Sequence, residues 1–300
     1  MAKYDIKNGE GVIPEGTTGI ERGAFYVCTY LTKINIPNSV TWIGDYAFCG
    51  CTGLTNITIP DSVTRIGDSV FYGCTGLTDI TIPDSVTEID RAAFSRCTGL
   101  TNITIPDSVT KIGMDAFSVC TGLTNISIPD SVTEIDYFAI YGCTAMKSIK
   151  VGEGNQRYNS RNNCNAIIDS ESDELIAGCM ATTIPDSVTK IGDYAISGCI
   201  GLTDITIPDS VTTIGEGAFS GCKGLTNITI PDSVTTIGEG AFSGCTGLKS
   251  ISIPESLKDY DWTDGGRLQP KVVIRPTTLI EIGNGINNGC SEQDGVKVTE

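Results

Sequence analysis

The chain contains no histidine, carries few basic residues and has no long apolar stretch. Without histidine, acid–base catalysis and metal binding through an imidazole ring are excluded. The sequence also lacks a Walker phosphate-binding loop and the Gly-x-Ser-x-Gly motif of serine hydrolases. These absences predict that the chain is not an enzyme, that it binds no cofactor and that it has no metal site.

Acidic residues outnumber basic ones, with 36 Asp and Glu against 20 Lys and Arg, which gives a net charge of −16. An acidic surface disfavours nucleic acids and anionic membranes as partners. No apolar run approaches the length of a membrane-spanning helix, and residues 1–4 lack the apolar stretch of a signal peptide. We therefore expect no nucleic-acid partner and no membrane insertion. We expect an extracellular or cell-surface location, with the signal segment outside this sequence; a cytoplasmic location is the alternative.

A 23-residue repeat accounts for most of the chain. Proline recurs at this interval in two runs, and a cysteine follows every proline but the last at a fixed distance. A fixed period of this length is typical of a solenoid, in which each unit buries its apolar face against its neighbours. The prolines are Pro14, Pro37, Pro60, Pro83, Pro106 and Pro129, then Pro185, Pro208, Pro231 and Pro254. We number the units one to nine by their closing cysteines, which are Cys28, Cys51, Cys74, Cys97, Cys120, Cys143, Cys199, Cys222 and Cys245.

Each unit has the same internal plan. An L-x-x-I-x-I pattern predicts a strand, because apolar and polar residues alternate, and the proline ends the strand because it cannot donate to a ladder. A Val-x-x-Ile step then returns the chain to the core. A closing segment with Ala-Phe-x-x-Cys is expected to form a short helical turn. In unit four the inward residues are Leu77, Ile80, Ile82, Val86, Ile89, Ala93, Phe94 and Cys97.

The repeat resembles the BspA-like leucine-rich repeats. The likeness is clearest at residues 207–226, which read Ile-Pro-Asp-Ser-Val-Thr-Thr-Ile-Gly-Glu-Gly-Ala-Phe-Ser-Gly-Cys-Lys-Gly-Leu-Thr. Such repeats occur on surface proteins of host-associated bacteria and of some parasitic protists. The resemblance covers roughly residues 12–255, and a weaker unit follows at residues 276–290. It implies a curved solenoid used in binding or adhesion, and it implies no catalytic residues.

We therefore expect an α/β repeat solenoid: a curved leucine-rich repeat array with a parallel β-sheet on its concave face and short helical turns elsewhere. Residues 1–255 are expected to form the solenoid, and residues 256–300 an irregular C-terminal repeat and cap. The repeat is interrupted between Cys143 and Cys199, where about residues 151–180 predict an irregular module with one inserted β-hairpin. We expect this hairpin to project from the solenoid, either as a spacer or as a contact element.

The thirteen cysteines raise the question of disulfides. Those at the repeat position recur at roughly one strand spacing, about 5 Å, and point into the core, so we expect buried free thiols. Cys49 lies outside this pattern and is expected to face solvent as a reactive thiol. Cys164 and Cys179 flank the inserted hairpin, and whether they pair stays open.

Positions that differ between units are free of packing demands, so ligand contacts are expected among them. Aromatic and basic residues concentrate at these positions in the first six units, and interfaces favour such residues. Our first candidates for an interface are Trp42, Tyr46, Arg65 and Tyr72. The outward residues of the strands form a face of short hydroxyl and amide side chains, the Thr/Asn face. Its candidates for ligand binding are Asn56, Asp79 and Asn102.

Three functional hypotheses follow. The first is a non-enzymatic surface or extracellular binding or adhesion protein that contacts a host or matrix protein through its extended repeat surface. The second is an intracellular scaffold or self-assembling structural protein, whose near-identical units associate end to end. The third is a glycan-binding module that uses the Thr/Asn face. The expected partners are a protein or a glycan on another cell or on matrix, or another copy of the chain.

Overall fold

The computed structural model describes residues 4–136, 138–260 and 270–275. Over these residues the chain is a β-solenoid of stacked parallel strands with almost no helix. Successive units pair in register at an offset of one repeat, since Asn56 pairs with Asp79 and Lys111 with Glu134. The 23-residue period is therefore the step from one rung of the stack to the next.

Most units contribute a primary strand from the L-x-x-I-x-I segment. Its central isoleucine is buried and its flanking polar residues are exposed, because apolar and polar side chains point to opposite faces of a strand. A two-residue strand, Ile6–Lys7, pairs antiparallel with the first of these strands. The primary strands are Glu10–Val12, Lys33–Asn35, Asn56–Thr58, Asp79–Thr81, Asn125–Ile128, Ser148–Val151, Asn227–Thr229, Ser250–Pro254 and Lys271–Arg275.

A second ladder follows the proline turn. Its two-residue secondary strands place one residue outward and an isoleucine inward. Serines of the proline turns support this ladder: Ser85 Oγ donates to the Val63 carbonyl at 2.6 Å, and Ser210 Oγ donates to the Val188 carbonyl at 2.6 Å. The secondary strands are Gly19–Ile20, Trp42–Ile43, Arg65–Ile66, Glu88–Ile89, Lys111–Ile112, Glu134–Ile135, Lys190–Ile191, Thr213–Ile214 and Thr236–Ile237.

The closing segments are turns, and the expected helical turns are absent from the described residues. Alternate N–H groups of a closing segment bond to the next unit, as when the Phe94 N–H donates to the Ala116 carbonyl at 2.8 Å. Ala92 and Arg96 have φ values of 52° and 61°, in the left-handed region that a right-handed helix excludes. In the described part of the chain, the only helices are the 3-10 turns Arg161–Asn163 and Glu255–Leu257. None there has the length and apolar character to span a membrane.

A column of phenylalanine rings fills the centre of the first five units. Neighbouring rings stack nearly parallel, with centroids 5.3–5.6 Å apart. Ile140 and Ile196 occupy this position in units six and seven, and Phe219 and Phe242 resume the stacking at 5.3 Å. The rings of the long column are Phe25, Phe48, Phe71, Phe94 and Phe117.

The closing cysteines are both core side chains and hydrogen-bond donors. The Cys97 thiol donates to the Phe71 carbonyl at 3.1 Å, and the equivalent bond recurs at 3.1–3.2 Å in units two to six, eight and nine. The Phe71 carbonyl also accepts from the Cys74 N–H at 3.1 Å, so the thiol is a second donor to a buried carbonyl group. The twelve cysteines of the described residues are all buried and none of them forms a disulfide, which includes Cys164 and Cys179.

The expectation for Cys49 was wrong. Its side chain is only 7% exposed, and burial raises the pKa of its thiol, which opposes reactivity. The closing segments of units one and three stack on this segment, since the Val27 N–H donates to the Cys49 carbonyl and the Gly50 N–H donates to the Tyr72 carbonyl. The sequence of one unit does not contain this stacking.

The inserted segment divides the core into two clusters. We call units one to six the first array and units seven to nine the second array. The segment contains the strands Tyr158–Asn159, Ala166–Asp169 and Glu174–Gly178, which pair antiparallel in this order. The last of them pairs in parallel with Lys190–Ile191, the first secondary strand of the second array.

The inserted strands do not project from the solenoid, contrary to expectation. All four residues of Ala166–Asp169 are buried. Ile167 packs in the core of the first array, whereas Ala166 and Ile168 pack in the core of the second. A strand that is apolar on both faces needs a core on each side. The segment is therefore a partition between the two arrays.

Candidate functional site

The variable positions of the closing segments lie together along one edge of the stack, which we call the closing edge. Each unit presents two of them: a first edge position with left-handed φ, such as Tyr46, and a second edge position three residues later, such as Cys49. Units one to three and units six and seven place aromatic rings there, and the units between place small residues. The result is a trough of about 630 Å³, the aromatic trough.

Three tyrosines form the first wall of the trough, in units one to three. Tyr26 is 58% exposed, whereas Tyr46 and Tyr72 are half-buried. The Arg22 guanidinium carbon lies 5.1 Å from the centroid of the Tyr46 ring, and that of Arg96 lies 6.0 Å from the centroid of the Tyr72 ring. Such cation–π contacts attract the guanidinium to the ring face and so orient both groups.

Three further rings form the second wall, in units six and seven. Phe138, Tyr141 and Tyr194 pack edge to face, with centroids 5.2–6.0 Å apart. The Tyr194 hydroxyl donates to Glu216 Oε1 at 2.5 Å. This hydrogen bond raises the pKa of Tyr194 to about 12, because ionisation would remove the donated proton and place two anions side by side. The second wall is therefore a cluster whose members fix one another.

The rings of units six and seven meet because their closing segments stack directly, although 56 residues of sequence separate the two units. A side-chain carbon at Gly198 would lie 3.4 Å from the Gly142 Cα. The inserted strands separate the same units at the secondary-strand ladder. Between these two edges lies a second cavity of about 390 Å³, which Phe138 and Tyr194 border.

Small residues form the floor of the trough in units three to five. Ser69, Ser95 and Ser118 are 8%, 5% and 4% exposed, and Ala92 lies beside them. None of the three hydroxyls has a hydrogen-bond partner among the described residues. Ser197 occupies the position of Ser95 in unit seven, and its hydroxyl donates to the next unit at 2.9 Å. In the described residues, the fully buried side-chain polar atoms without a hydrogen-bond partner are Asp90 Oδ2 and Arg275 Nε, so these three hydroxyls are open to the trough and available to a ligand.

Charged groups of the trough are two arginines and one aspartate. Arg91 and Arg96 both belong to unit four and are exposed, and Asp115 belongs to unit five. Neither arginine forms an ion pair with any residue that the structure describes. By contrast, Arg65 on another face lies 2.5 Å from Asp90 Oδ2. In a chain with a net charge of −16, these two unpaired cations mark a locally positive site.

The structure brings together only two of the four residues predicted for a protein interface. Tyr46 and Tyr72 lie in the first wall. Trp42 starts a secondary strand, is 49% exposed and covers Gly19, where any side chain would collide with the indole. Arg65 occupies the same strand position in the next unit and is held by two carboxylates. Trp42 and Arg65 therefore belong to the secondary-strand face, outside the trough.

The three residues predicted for glycan binding lie on another surface. Asn56, Asp79 and Asn102 are exposed on the outward face of the primary segments, and Asn56 pairs in register with Asp79. Threonines beside them donate to backbone carbonyls of the preceding unit, as Thr78 does to Thr55 at 3.4 Å. These three residues therefore lie outside the aromatic trough. Among the described residues, no three acidic, cysteine or histidine side chains are grouped to hold a metal ion.

Sequence reasoning missed the floor and the second wall. The floor residues are small, and a search for interface residues favours large ones. The signal was nonetheless present in the comparison of units, since the same two positions alternate between rings and small groups along the first array. A change from large to small and back to large along a stack encloses a space.

The chain matches the family model described as a BspA type leucine rich repeat region, in six copies, over residues 5–109, 87–169 and 177–292. No curated protein shows a significant match. A leucine-rich repeat protein from Eubacterium ventriosum is 26% identical, with a TM-score of 0.67 over 82% of this chain and 73% of that one. A leucine rich cell surface protein from Faecalibacterium prausnitzii is 29% identical, with a TM-score of 0.61 over 87% and 83%. The pneumococcal vaccine antigen PcpA has the same fold at 21% identity, with a TM-score of 0.59 over 83% and 69%.

Proposed function

Since the chain belongs to the BspA-type leucine-rich repeat family, we propose that it is a non-enzymatic binding or adhesion protein of the cell surface or extracellular space. In this proposal the protein holds its partner in the aromatic trough. The observation that carries the proposal is the convergence of six rings, from five units, around a floor of unbonded hydroxyls. The similar protein from Faecalibacterium prausnitzii, described as a cell surface protein, supports the location.

The rings of the trough are not required by packing. The core of each unit is complete without them, and units eight and nine keep the same backbone with Gly217 and Gly240 at the first edge position. A residue with a side chain costs about 1–2 kcal/mol in this left-handed conformation. Tyr46, Phe138 and Tyr194 therefore occupy positions where glycine is favoured. A role in binding accounts for side chains that stability does not favour.

The proposed partner is a macromolecule on another cell or on matrix, of which a protein is the first candidate. Tyrosine and arginine are the residues on which binding energy at protein interfaces concentrates, and rigid rings lose little entropy when they are covered. Binding through the Thr/Asn face and end-to-end association remain alternatives. We also retain the proposal that the primary strands line a concave face.

The proposal is tested by measuring binding of the labelled full chain to cultured epithelial cells and to immobilised extracellular matrix. Tyr72→Ala and Tyr141→Ala, one from each wall, are expected to weaken binding roughly tenfold or more, as loss of a central aromatic contact does. Trp42→Ala and Tyr30→Ala remove exposed rings outside the trough and are the matched controls. Circular dichroism checks that each variant is folded. Trough variants that bind as the parent does would contradict the proposal.

A further inference from the structure

We infer that the aromatic trough binds an oligosaccharide that carries a carboxylate, laid along the stack from the first wall to the second. This inference rests on the proposed function and refines its partner, because it names a glycan, in place of a bare protein surface, as the group that the same trough holds. Three features of the trough lead to it: the spacing of the floor hydroxyls, the unpaired arginines and the separation of the walls.

The floor supplies a hydroxyl without a protein partner in each of three successive units, from Ser69, Ser95 and Ser118. Ser69 occupies the first edge position, whereas Ser95 and Ser118 share the second edge position in neighbouring units. Rungs of the stack are about 4.8 Å apart, so the equivalent hydroxyls of Ser95 and Ser118 recur at about this spacing. Successive pyranose rings of an extended sugar chain present hydroxyls at a similar spacing, and each sugar hydroxyl both donates and accepts. An extended peptide turns the same side to a surface only every second residue, about 6.8 Å, and falls out of step with the floor.

The arginines select for a carboxylate on the sugar. Arg91 and Arg96 come from one unit, are exposed, and pair with no carboxylate in the described residues. A guanidinium recognises a carboxylate through two parallel hydrogen bonds, which are stronger than bonds to neutral groups. Asp115 on the next unit would repel a continuous run of negative charge. The arrangement therefore fits one acidic sugar among neutral neighbours.

The walls set the length of the ligand. The innermost rings, Tyr72 in unit three and Tyr141 in unit six, are three rungs apart, about 14 Å along the stack. This distance accommodates two or three pyranose rings. The outer sugars would pack their apolar C–H faces against the tyrosine rings at each end. A tyrosine suits this contact because its ring is apolar and its hydroxyl is polar.

The test is isothermal titration calorimetry of the full chain with defined probes. The acidic probes are 3′-sialyllactose and tri-galacturonic acid, the neutral probes are lactose and maltotriose, and the peptide probe is Glu-Ser-Glu-Ser-Glu. At least one acidic sugar is expected to bind roughly tenfold or more tightly than the neutral sugars, because a carboxylate adds charge-assisted bonds. Its affinity should fall as salt is added, since the arginines are exposed.

Variants assign that binding to the trough. Arg91→Gln and Arg96→Gln are each expected to weaken binding of the acidic sugar about tenfold, and Ser95→Ala to weaken it several-fold. The controls are Arg65→Gln, the same charge change on another face, and Ser220→Ala, the same second edge position in unit eight. Both controls should bind as the parent does.

Each other outcome overturns the inference. If neutral sugars bind as tightly as acidic ones, the inference that the ligand carries a carboxylate is wrong. Peptide binding that depends on Arg91, without sugar binding, would replace the ligand class and leave the proposed function standing. If no probe binds while cell binding still requires Tyr72, the sugar inference fails alone. If cell binding is also indifferent to Tyr72 and Tyr141, the inference and the proposed function fail together.

Discussion

Units two to five and units eight and nine bury the same kinds of side chain, yet they present different residues on the closing edge. Units eight and nine have Gly217 and Gly240 at the first edge position, each preceded by glutamate. Units two to five have residues with side chains there, which are Tyr46, Ser69, Ala92 and Asp115, all with left-handed φ. The backbone demand is the same in both arrays and glycine meets it best. Departures from glycine therefore indicate where something other than folding has acted on the sequence.

The largest expected effect comes from breaking the ring column of one array. Phe94→Ala should cost about 3–5 kcal/mol, because it removes a fully buried ring that stacks on rings 5.3 and 5.5 Å away. Hydrogen exchange read by mass spectrometry should show lost protection in the first array, up to about Val151, with the second array retained. Phe219→Ala is the matched variant and should give the reverse pattern. Equal loss of protection on both sides would mean that the partition does not separate the arrays.

The next effect concerns alkaline stability and the buried thiols. Burial raises the pKa of Cys120 from 9.0 to about 12. Below pH 9 the thiol is neutral in the folded and the unfolded chain, so it adds no pH dependence. Between pH 9 and 12 the unfolded chain loses this proton first, so the free energy of unfolding falls by about 1.4 kcal/mol per pH unit for each such thiol.

The measurement is urea unfolding of the parent and of Cys120→Ala between pH 7 and pH 11. The parent's advantage over the variant should be constant up to about pH 8 and shrink above pH 9. More thiols with raised pKa lie in the first array than in the described part of the second, so its unfolding should depend more steeply on pH. An advantage that stays constant to pH 11 would mean that the Cys120 thiol ionises in the folded protein.

The smallest effect tests the closing edge itself. Gly240→Ala introduces only a backbone penalty, since the nearest atom to the added carbon is an ordinary 3.6 Å away and φ is 62°. Ala92→Gly removes the same penalty at φ 52°. We expect changes of about 1–2 kcal/mol in opposite directions, destabilising for Gly240→Ala and stabilising for Ala92→Gly. Thermal unfolding of both variants checks this, and shifts of the same sign would contradict it.

Much of the fold could be predicted from the sequence because the apolar positions that recur in every unit are the ones that pack in the core. The alternation around Ile80 and Ile82 predicted the primary strands, and the resemblance predicted the family. The prediction of helical turns was wrong because the hydrogen bonds that set the backbone of the closing segments, such as Phe94 to Ala116, join two units. The projecting hairpin was wrong because a run such as Ala166-Ile167-Ile168, apolar at every position, indicates a strand buried on both faces.

The candidate site was only partly predictable. Tyr46 and Tyr72 could be chosen because tyrosine at a variable position suggests contact. Trp42 satisfies the same criterion, but it lies on the secondary-strand face. The floor serines could not be chosen by residue type, because what distinguishes them is a hydroxyl without a protein partner. Only the three-dimensional structure reveals whether a hydroxyl is bonded: that of Ser197 is, and that of Ser95 is not.

In units two to six, the parallel ladders join equivalent residues one repeat apart, so a duplicated unit would find its bonding partners already in place. Duplication of unit four would therefore preserve the core and move the two walls of the trough apart by one rung, about 4.8 Å. In such a protein the number of units sets the distance between the two walls. A gene that gains or loses one repeat between the walls changes the length of ligand that its product can hold, without altering a single contact residue.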